Sequence, residues 1–128
     1  MGVPIYQIYG MTECSGASHA QTPAHSRLGW CGPLLPGLVE QRVAADGELQ
    51  LRGTIVFNGY LYDEAATAAA FDAGWLRTGD VVEVDAASSE VQIVDRKKAI
   101  LITSGGKNIT PSLIENALKE SLYISEAI

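Results

Sequence analysis

An α+β chain is the fold class this sequence predicts, on three observations. Two hairpin signals lie in its middle. Two short helix signals follow strand signals, and the apolar runs between them are brief and rich in β-branched residues. Its 128 residues suffice for one ordinary domain or two small pieces, and a compact chain of that size buries roughly two thirds of its unfolded surface. At 47% hydrophobic and 19% charged, the composition is globular rather than disordered.

Val3 to Tyr9 is apolar and reads as a buried strand of a larger sheet, ending at Gly10. Thr12 and Glu13 then sit just past a strand end, where side chains face ligands in open α/β sheets. Ser15 to Arg27 is small and polar and reads as a loop holding His19 and His25. Gly29 to Gly37, with three glycines and two prolines, is expected to be turn-rich. Leu38 to Ala44 and Glu48 to Arg52 flank Ala45-Asp46-Gly47 and predict a hairpin. Ile55 to Leu61 predicts one more short strand.

Asp63 to Phe71 is the first helix, with Asp63 as cap and five alanines in its body. Val81 to Val84 and Val91 to Val94 predict the second hairpin. Ala99 to Thr103 reads as a strand and Ser104 to Lys107 as a tight loop. A helix follows from Pro111 through Lys119, capped by Thr110, with Ile114, Leu118 and Leu122 on one face. That helix cannot bury its face unaided. The stretch from Arg96 onward is short for an autonomous unit.

The formal charge of -6 disfavours non-specific binding to nucleic acid or an anionic membrane. It leaves a nucleotide open, because a metal ion and a few local cations can carry phosphates. Cys14 and Cys31 show no metal-ligand spacing, and a reduced pair in a cytoplasmic protein is the simplest reading. No charged leader is visible, and no apolar run approaches the ~20 residues that cross a bilayer. Peripheral contact with a membrane stays open.

Three segments carry candidate chemistry. In Tyr9-Gly10-Met11-Thr12-Glu13 a phenol beside a glycine can lie against a purine, a hydroxyl can bond a phosphate, and a carboxylate can hold Mg²⁺. A capped turn at a strand end explains the same residues. In Gly74 to Asp80, the carboxylate of Asp80 can accept both hydroxyls of a ribose, or stand as a solvated turn residue. In Asp95 to Asn108, the fork of Arg96 suits ribose or phosphate oxygens, and Lys97 and Lys98 read equally as plain surface charge. Gly105-Gly106 permits close approach by a thin ligand, or is an ordinary turn. Neither standard phosphate loop and no serine-nucleophile elbow is present.

Taken in order, four blocks resemble the later part of the adenylate-forming enzymes, the superfamily of acyl-CoA synthetases, luciferases and peptide-synthetase adenylation domains. They are Tyr-Gly-Met-Thr-Glu, Gly47 to Gly53 running on to Gly59-Tyr60, Gly74 to Asp80, and Asp95 to Glu115. The last looks most like long-chain and very-long-chain fatty acyl-CoA synthetases. The resemblance implies a fatty acid–CoA ligase that uses ATP, Mg²⁺ and CoA. A carboxylate attacks the α-phosphate of ATP to give acyl-AMP, and the thiol of CoA displaces AMP. By motif, Tyr9 and Gly10 would meet adenine, Thr12 a phosphate, Glu13 the metal, and Asp80 and Arg96 the ribose. Lys98 would be the hinge between half-reactions, and Gly105 and Gly106 would line the CoA channel.

The resemblance also implies the layout: residues 1–28 end a large α/β subdomain, 29–95 form a distorted β-barrel subdomain with its extension, and 96–128 begin a small mobile α+β domain. The family's phosphate loop and its lysine in a Pro-x-x-x-x-Gly-Lys context have no counterpart in this sequence. Lys107 and Lys119 lack that context. The expectation is therefore part of a nucleotide site that is inactive alone and partnered by the missing parts of its own domain. Two alternatives remain: a non-catalytic nucleotide-binding or interaction module, and a synthetase of the same superfamily for another carboxylic acid.

Overall fold

The computed structural model describes residues 3–102, 108–121, 123, 124 and 126. They form an α+β arrangement whose main sheet is a curled, incompletely closed barrel with few helices beside it. Strand β1 (Ile8–Tyr9) pairs antiparallel with β2 (His19–Ala20). The strand expected from Val3 to Tyr9 is thus only its last two residues. Val3, Ile5 and Ile8 are exposed, because among the described residues only β2 lies beside this segment. The loop expected from Ser15 to Arg27 likewise contains β2, and His19 is fully buried rather than set in a polar loop.

The hairpin over Ala45–Gly47 forms as expected, from β3 (Val39–Val43) and β4 (Glu48–Gly53). The region from Ile55 to Leu61 is no strand. Its backbone donors go elsewhere: the Phe57 N–H to the Glu13 carbonyl at 2.8 Å, and the Tyr60 N–H to Thr67 Oγ1 at 2.8 Å. Helix α1 (Glu64–Ala70) begins where Asp63 Oδ1 accepts the Ala66 N–H at 2.8 Å. Side-chain capping of this kind satisfies one of the donors that a helix start leaves free.

Strand β5 (Phe71–Asp72) leads into the ten-residue β6 (Trp75–Val84), which organises the sheet. One edge of β6 meets β4. The other meets β5 along its start and β7 (Val91–Arg96) along its end. β7 runs two residues past the expected Val94, which brings Asp95 and Arg96 into the ladder. Inside the curl, Cys14, Cys31, Val39, Leu49, Leu51, Leu76, Val82 and Val91 form the core. Both cysteines are free and buried, as expected of a reduced pair. On Trp75, the guanidinium groups of Arg42 and Arg52 sit 4.8 and 4.5 Å from the ring centroid, a cation–π arrangement that covers the indole.

Beyond the sheet, β8 (Leu101–Ile102) pairs with β9 (Asn108–Ile109), and α2 (Pro111–Lys119) follows. Only Leu101 and Ile102 of the expected Ala99–Thr103 strand are paired, and Thr103 lies outside the described residues. Proline opens α2 as expected, but the Thr110 side chain makes no capping bond. Ile114 and Leu118 are exposed, and Leu122 is outside the described residues. Among the described residues no helix is long and apolar enough to cross a membrane.

Candidate functional site

The site grows from a break in a ladder. Gln50 pairs with Arg77 and Glu48 with Val81, so three residues of β6 face one residue of β4. This bulge holds Thr78, Gly79 and Asp80. Gly79 has φ +74°, in the left-handed region that glycine occupies without a steric cost. Several of the polar groups of the bulge find new partners. Thr78 Oγ1 donates to the Leu49 carbonyl at 2.7 Å, and the Asp80 N–H donates to Thr78 Oγ1 at 3.2 Å. The Gly79 N–H donates to Glu48 Oε1 at 3.0 Å, and the Gly79 carbonyl accepts from the Lys97 N–H at 2.8 Å.

Asp80 lies opposite Arg96 across the β6–β7 register, and its side chain is 5% exposed. Each of its oxygens has a partner. Tyr9 donates its hydroxyl to Oδ2 at 2.7 Å, across 71 positions of sequence. Arg96 places Nε 2.8 Å from Oδ1 while most of its side chain stays in solvent. Burial first, then the hydrogen bond to Asp80, pushes the Tyr9 phenol far above its ordinary range, so it remains a donor.

Glu13 reaches the same region by another route. Thr12–Cys14 form one 3₁₀ turn after Met11. The turn is pinned to the loop after β4, where Ser15 Oγ donates to the Ile55 carbonyl at 2.9 Å and the Phe57 N–H to the Glu13 carbonyl. Tyr60 then donates its hydroxyl to Glu13 Oε1 at 2.7 Å. Gly10 has a packing reason to be glycine: a Cβ there would stand 2.2 Å from the Gly16 carbonyl oxygen.

A cleft of about 760 Å³ opens beside these groups, lined by Met11, Tyr60, Arg77, Thr78, Gly79, Arg96 and Lys98 among others. Four cations, Arg77, Arg96, Lys97 and Lys98, edge it in a chain whose net charge is -6. Three of the four are ion-paired, Arg77 with Asp72, Arg96 with Asp80 and Lys97 with Asp46 and Glu48, so an incoming anion would meet cations already partly neutralised. Of the residues expected at a site, Tyr9, Asp80 and Arg96 are in direct contact. Glu13 is joined to the cleft through Tyr60, Thr12 is exposed beside it, and Lys98 lies on its lining. Gly105 and Gly106 lie outside the described residues.

Two participants escaped the sequence reading of the site. Tyr60 was legible only as part of a Gly-Tyr pair. Lys97 is not plain surface charge: its Nζ lies 2.6 Å from Asp46 Oδ2 and 2.8 Å from Glu48 Oε2. These contacts, Asp46 foremost, raise the ammonium above its ordinary pKa, and Lys97 in turn lowers that of Asp46.

Among the described residues no group of three or more His, Cys, Asp and Glu side chains converges to hold a metal. Glu13 offers a single half-exposed carboxylate. That donor set fits Mg²⁺, which takes one or two carboxylates and draws its other oxygens from phosphates and water.

The chain is similar to known proteins over nearly all of its length. No protein-family model matches the chain. It is 41% identical to a long-chain-fatty-acid–CoA ligase of Mycobacterium bovis, FadD15, over 99% of this chain and 21% of that protein. It is 39% identical to a 2-succinylbenzoate–CoA ligase of Bacillus pumilus, over 98% of this chain and 28% of that one. Among solved structures it matches O-succinylbenzoate CoA synthetase of Bacillus subtilis, in complex with an acyl-adenylate intermediate, with a TM-score of 0.85 and 31% identity. That match covers 97% of this chain and 27% of the other. The chain spans 21% and 28% of the length of these two curated relatives. It is homologous, over that part, to the adenylate-forming enzymes, fatty-acid–CoA ligases among them.

Proposed function

We propose that this chain carries the adenine, ribose, metal and hinge portions of the site of a fatty acid–CoA ligase, which activates its acid with ATP and passes the acyl group to CoA. The observation that carries the reading is the convergence of Tyr9, Asp80 and Arg96 from three separate segments, with Arg96 on the lining of the cleft. A carboxylate has about four lone-pair sites, and Tyr9 and Arg96 use two of those on Asp80. With the Asp80 side chain only 5% exposed, ribose hydroxyls reach it where the solvent-exposed Arg96 gives way. Tyr9, held by its hydroxyl, offers its ring to adenine in a fixed orientation. Arg96 spends Nε on Asp80 and keeps the rest of its fork for ribose or phosphate oxygens.

Thr12 donates its hydroxyl to a phosphate, and Glu13, oriented by Tyr60, supplies the metal ligand. When bound, Mg²⁺ would neutralise charge on the phosphates of ATP. Lys98, two residues past Arg96, is the proposed pivot between acid activation and thioester formation. Residues 1–28, 29–95 and 96–128 are the proposed subdomains, with the pivot just past the end of β7. Gly105 and Gly106 are proposed for the path of CoA.

Calorimetric titration with AMP, and with ATP and Mg²⁺, tests this. The chain is expected to bind AMP, and Asp80→Asn to weaken binding by about ten- to a hundred-fold, the worth of a charge-assisted hydrogen bond. Glu13→Gln is expected to leave AMP binding intact and to remove the Mg²⁺ dependence of ATP binding. Equal AMP affinity in the wild type and Asp80→Asn would sink the assignment of Asp80 to the ribose.

A further inference from the structure

Glu48 is a buried carboxylate, 4% exposed, that holds two things at once. Its Oε1 accepts the N–H of Gly79, the residue before Asp80, at 3.0 Å. Its Oε2 meets the Lys97 ammonium at 2.8 Å. Lys97 grips the same bulge a second time through its backbone, donating its N–H to the Gly79 carbonyl at 2.8 Å. Asp46, in the β3–β4 turn, closes the cluster from the other side at 2.6 Å. Among the described residues Lys97 is the one cation within ion-pair distance of Glu48. A buried carboxylate that loses its cation is left uncompensated, which disturbs whatever it holds. Here it holds the backbone that presents Asp80.

We infer that Lys97 is a positioning residue for the nucleotide site: through Glu48 and the Gly79 carbonyl it sets the bulge that aims Asp80, and so couples ribose binding to the segment that leads into β8 and α2. The inference rests on the reading of Asp80 as a ribose ligand. The role inferred for Lys97 runs through Glu48 and Gly79, although Lys97 also edges the cleft. Its neighbour Lys98 is the residue that the hinge reading assigns, and no buried partner holds Lys98 among the described contacts. The coupling runs both ways. A change of direction in the chain at Lys97 and Lys98 pulls on Gly79, and a ligand that fixes Asp80 resists that change.

The test compares the wild-type chain with Lys97→Met, Lys97→Arg and, as a charge-matched control away from the cluster, Lys119→Met. Two quantities are read: hydrogen exchange at the Gly79 amide and AMP affinity by calorimetry. In Lys97→Met the Gly79 amide is expected to exchange about ten-fold faster and AMP to bind about ten-fold more weakly. Lys97→Arg keeps the cation and is expected to recover most of both, and Lys119→Met to change neither. Wild-type exchange at Gly79 in Lys97→Met overturns the clamp. Accelerated exchange with unchanged AMP affinity overturns the positioning role. A wild-type chain that does not bind AMP removes the nucleotide reading and the positioning role with it, and the exchange result then judges the clamp by itself. Should Lys97→Met fail to fold, Lys97→Met with Glu48→Gln removes the stranded charge. That double variant is expected to fold and to bind AMP about ten-fold more weakly than the wild type. Wild-type affinity in it overturns the proposal.

Discussion

Leu49 and Leu51, in the sheet, have no exposed surface, whereas Leu101, Ile114 and Leu118, past the end of β7, are 59%, 53% and 45% exposed. The residue types are alike, so the difference lies in what surrounds them. In the sheet, β6 has neighbours along both edges, and the curl folds the inward faces of β3, β4, β6 and β7 onto one core. In the later segment Leu101 of β8 and Ile114 and Leu118 of α2 stay exposed among the described residues. Hydrophobic burial scales with the area removed from water, at about 25 cal/mol per Å². The sheet collects that stabilisation from its own residues and the later segment does not. Asp80 and Arg96 belong to the sheet, Tyr9 packs against its core from β1, and Lys97 and Lys98 follow the end of β7.

Core truncation is the strongest way to break the comparison. Leu49→Ala is expected to cost about 2–5 kcal/mol, because a fully buried leucine leaves both lost transfer energy and a cavity. Leu118→Ala is expected to stay within about 0.5 kcal/mol. Urea unfolding followed by circular dichroism reads both, and equal losses would mean that α2 has a covered face after all.

A pH dependence comes next. Burial holds the His19 imidazole below its ordinary value of 6.5, with Ser18 and Gln41 as hydrogen-bond partners. The folded pKa is thus the lower one, and as the pH falls the unfolded chain takes up the proton first. The stability from neutral His19 is full above about 6.5 and is lost as the pH drops toward the folded value, at no more than about 1.4 kcal/mol per pH unit. Unfolding midpoints at about pH 7.5 and 5.5 are expected to differ more in the wild type than in His19→Gln. An identical pH slope in both would remove His19 as the cause.

The smallest effect separates the two helices. Asp63→Ala removes a formed cap from α1 and is expected to cost about 1 kcal/mol. Thr110→Ala in α2 is expected to cost only a few tenths, because no capping bond is present to lose. Thermal melts of the two variants sharpen or erase that contrast.

What was legible in the sequence is what is settled locally. Ala45-Asp46-Gly47 specifies a tight turn, and Asp63 before a run of alanines specifies a helix start. Both appear in place. The segment from Val3 to Tyr9 reads as a buried strand because its residues are apolar, yet pairing is a property of neighbours, and among the described residues the neighbouring segment reaches Gln7, Ile8 and Tyr9. Ile55 to Leu61 was misjudged for a related reason. Its backbone donors found the Glu13 carbonyl and the Thr67 hydroxyl, partners that no periodicity reveals. For the site, Tyr9, Asp80 and Arg96 could be nominated by residue type and order. Their contact depends on two irregularities of register, in β6 against β4 and in β7 against β6. Lys97 was hidden most fully, because a lysine beside lysines and arginine looks like solvent charge until the buried Glu48 is seen beneath it.

The bulge in β6 also obeys a rule of parity. Leu76, Thr78, Asp80 and Val82 are all buried, so the alternation passes through the bulge unbroken. That holds because three residues against one leave a surplus of two, an even number, in a structure whose side chains change face at every step. A lineage that loses one codon from this stretch turns Val82 to the solvent and damages the core. One that loses two recovers a plain ladder and keeps its core, and gives up the carboxylate where Asp80 is among the two. Even length differences here are therefore expected to be tolerated, and odd ones to be rare among homologous chains that fold.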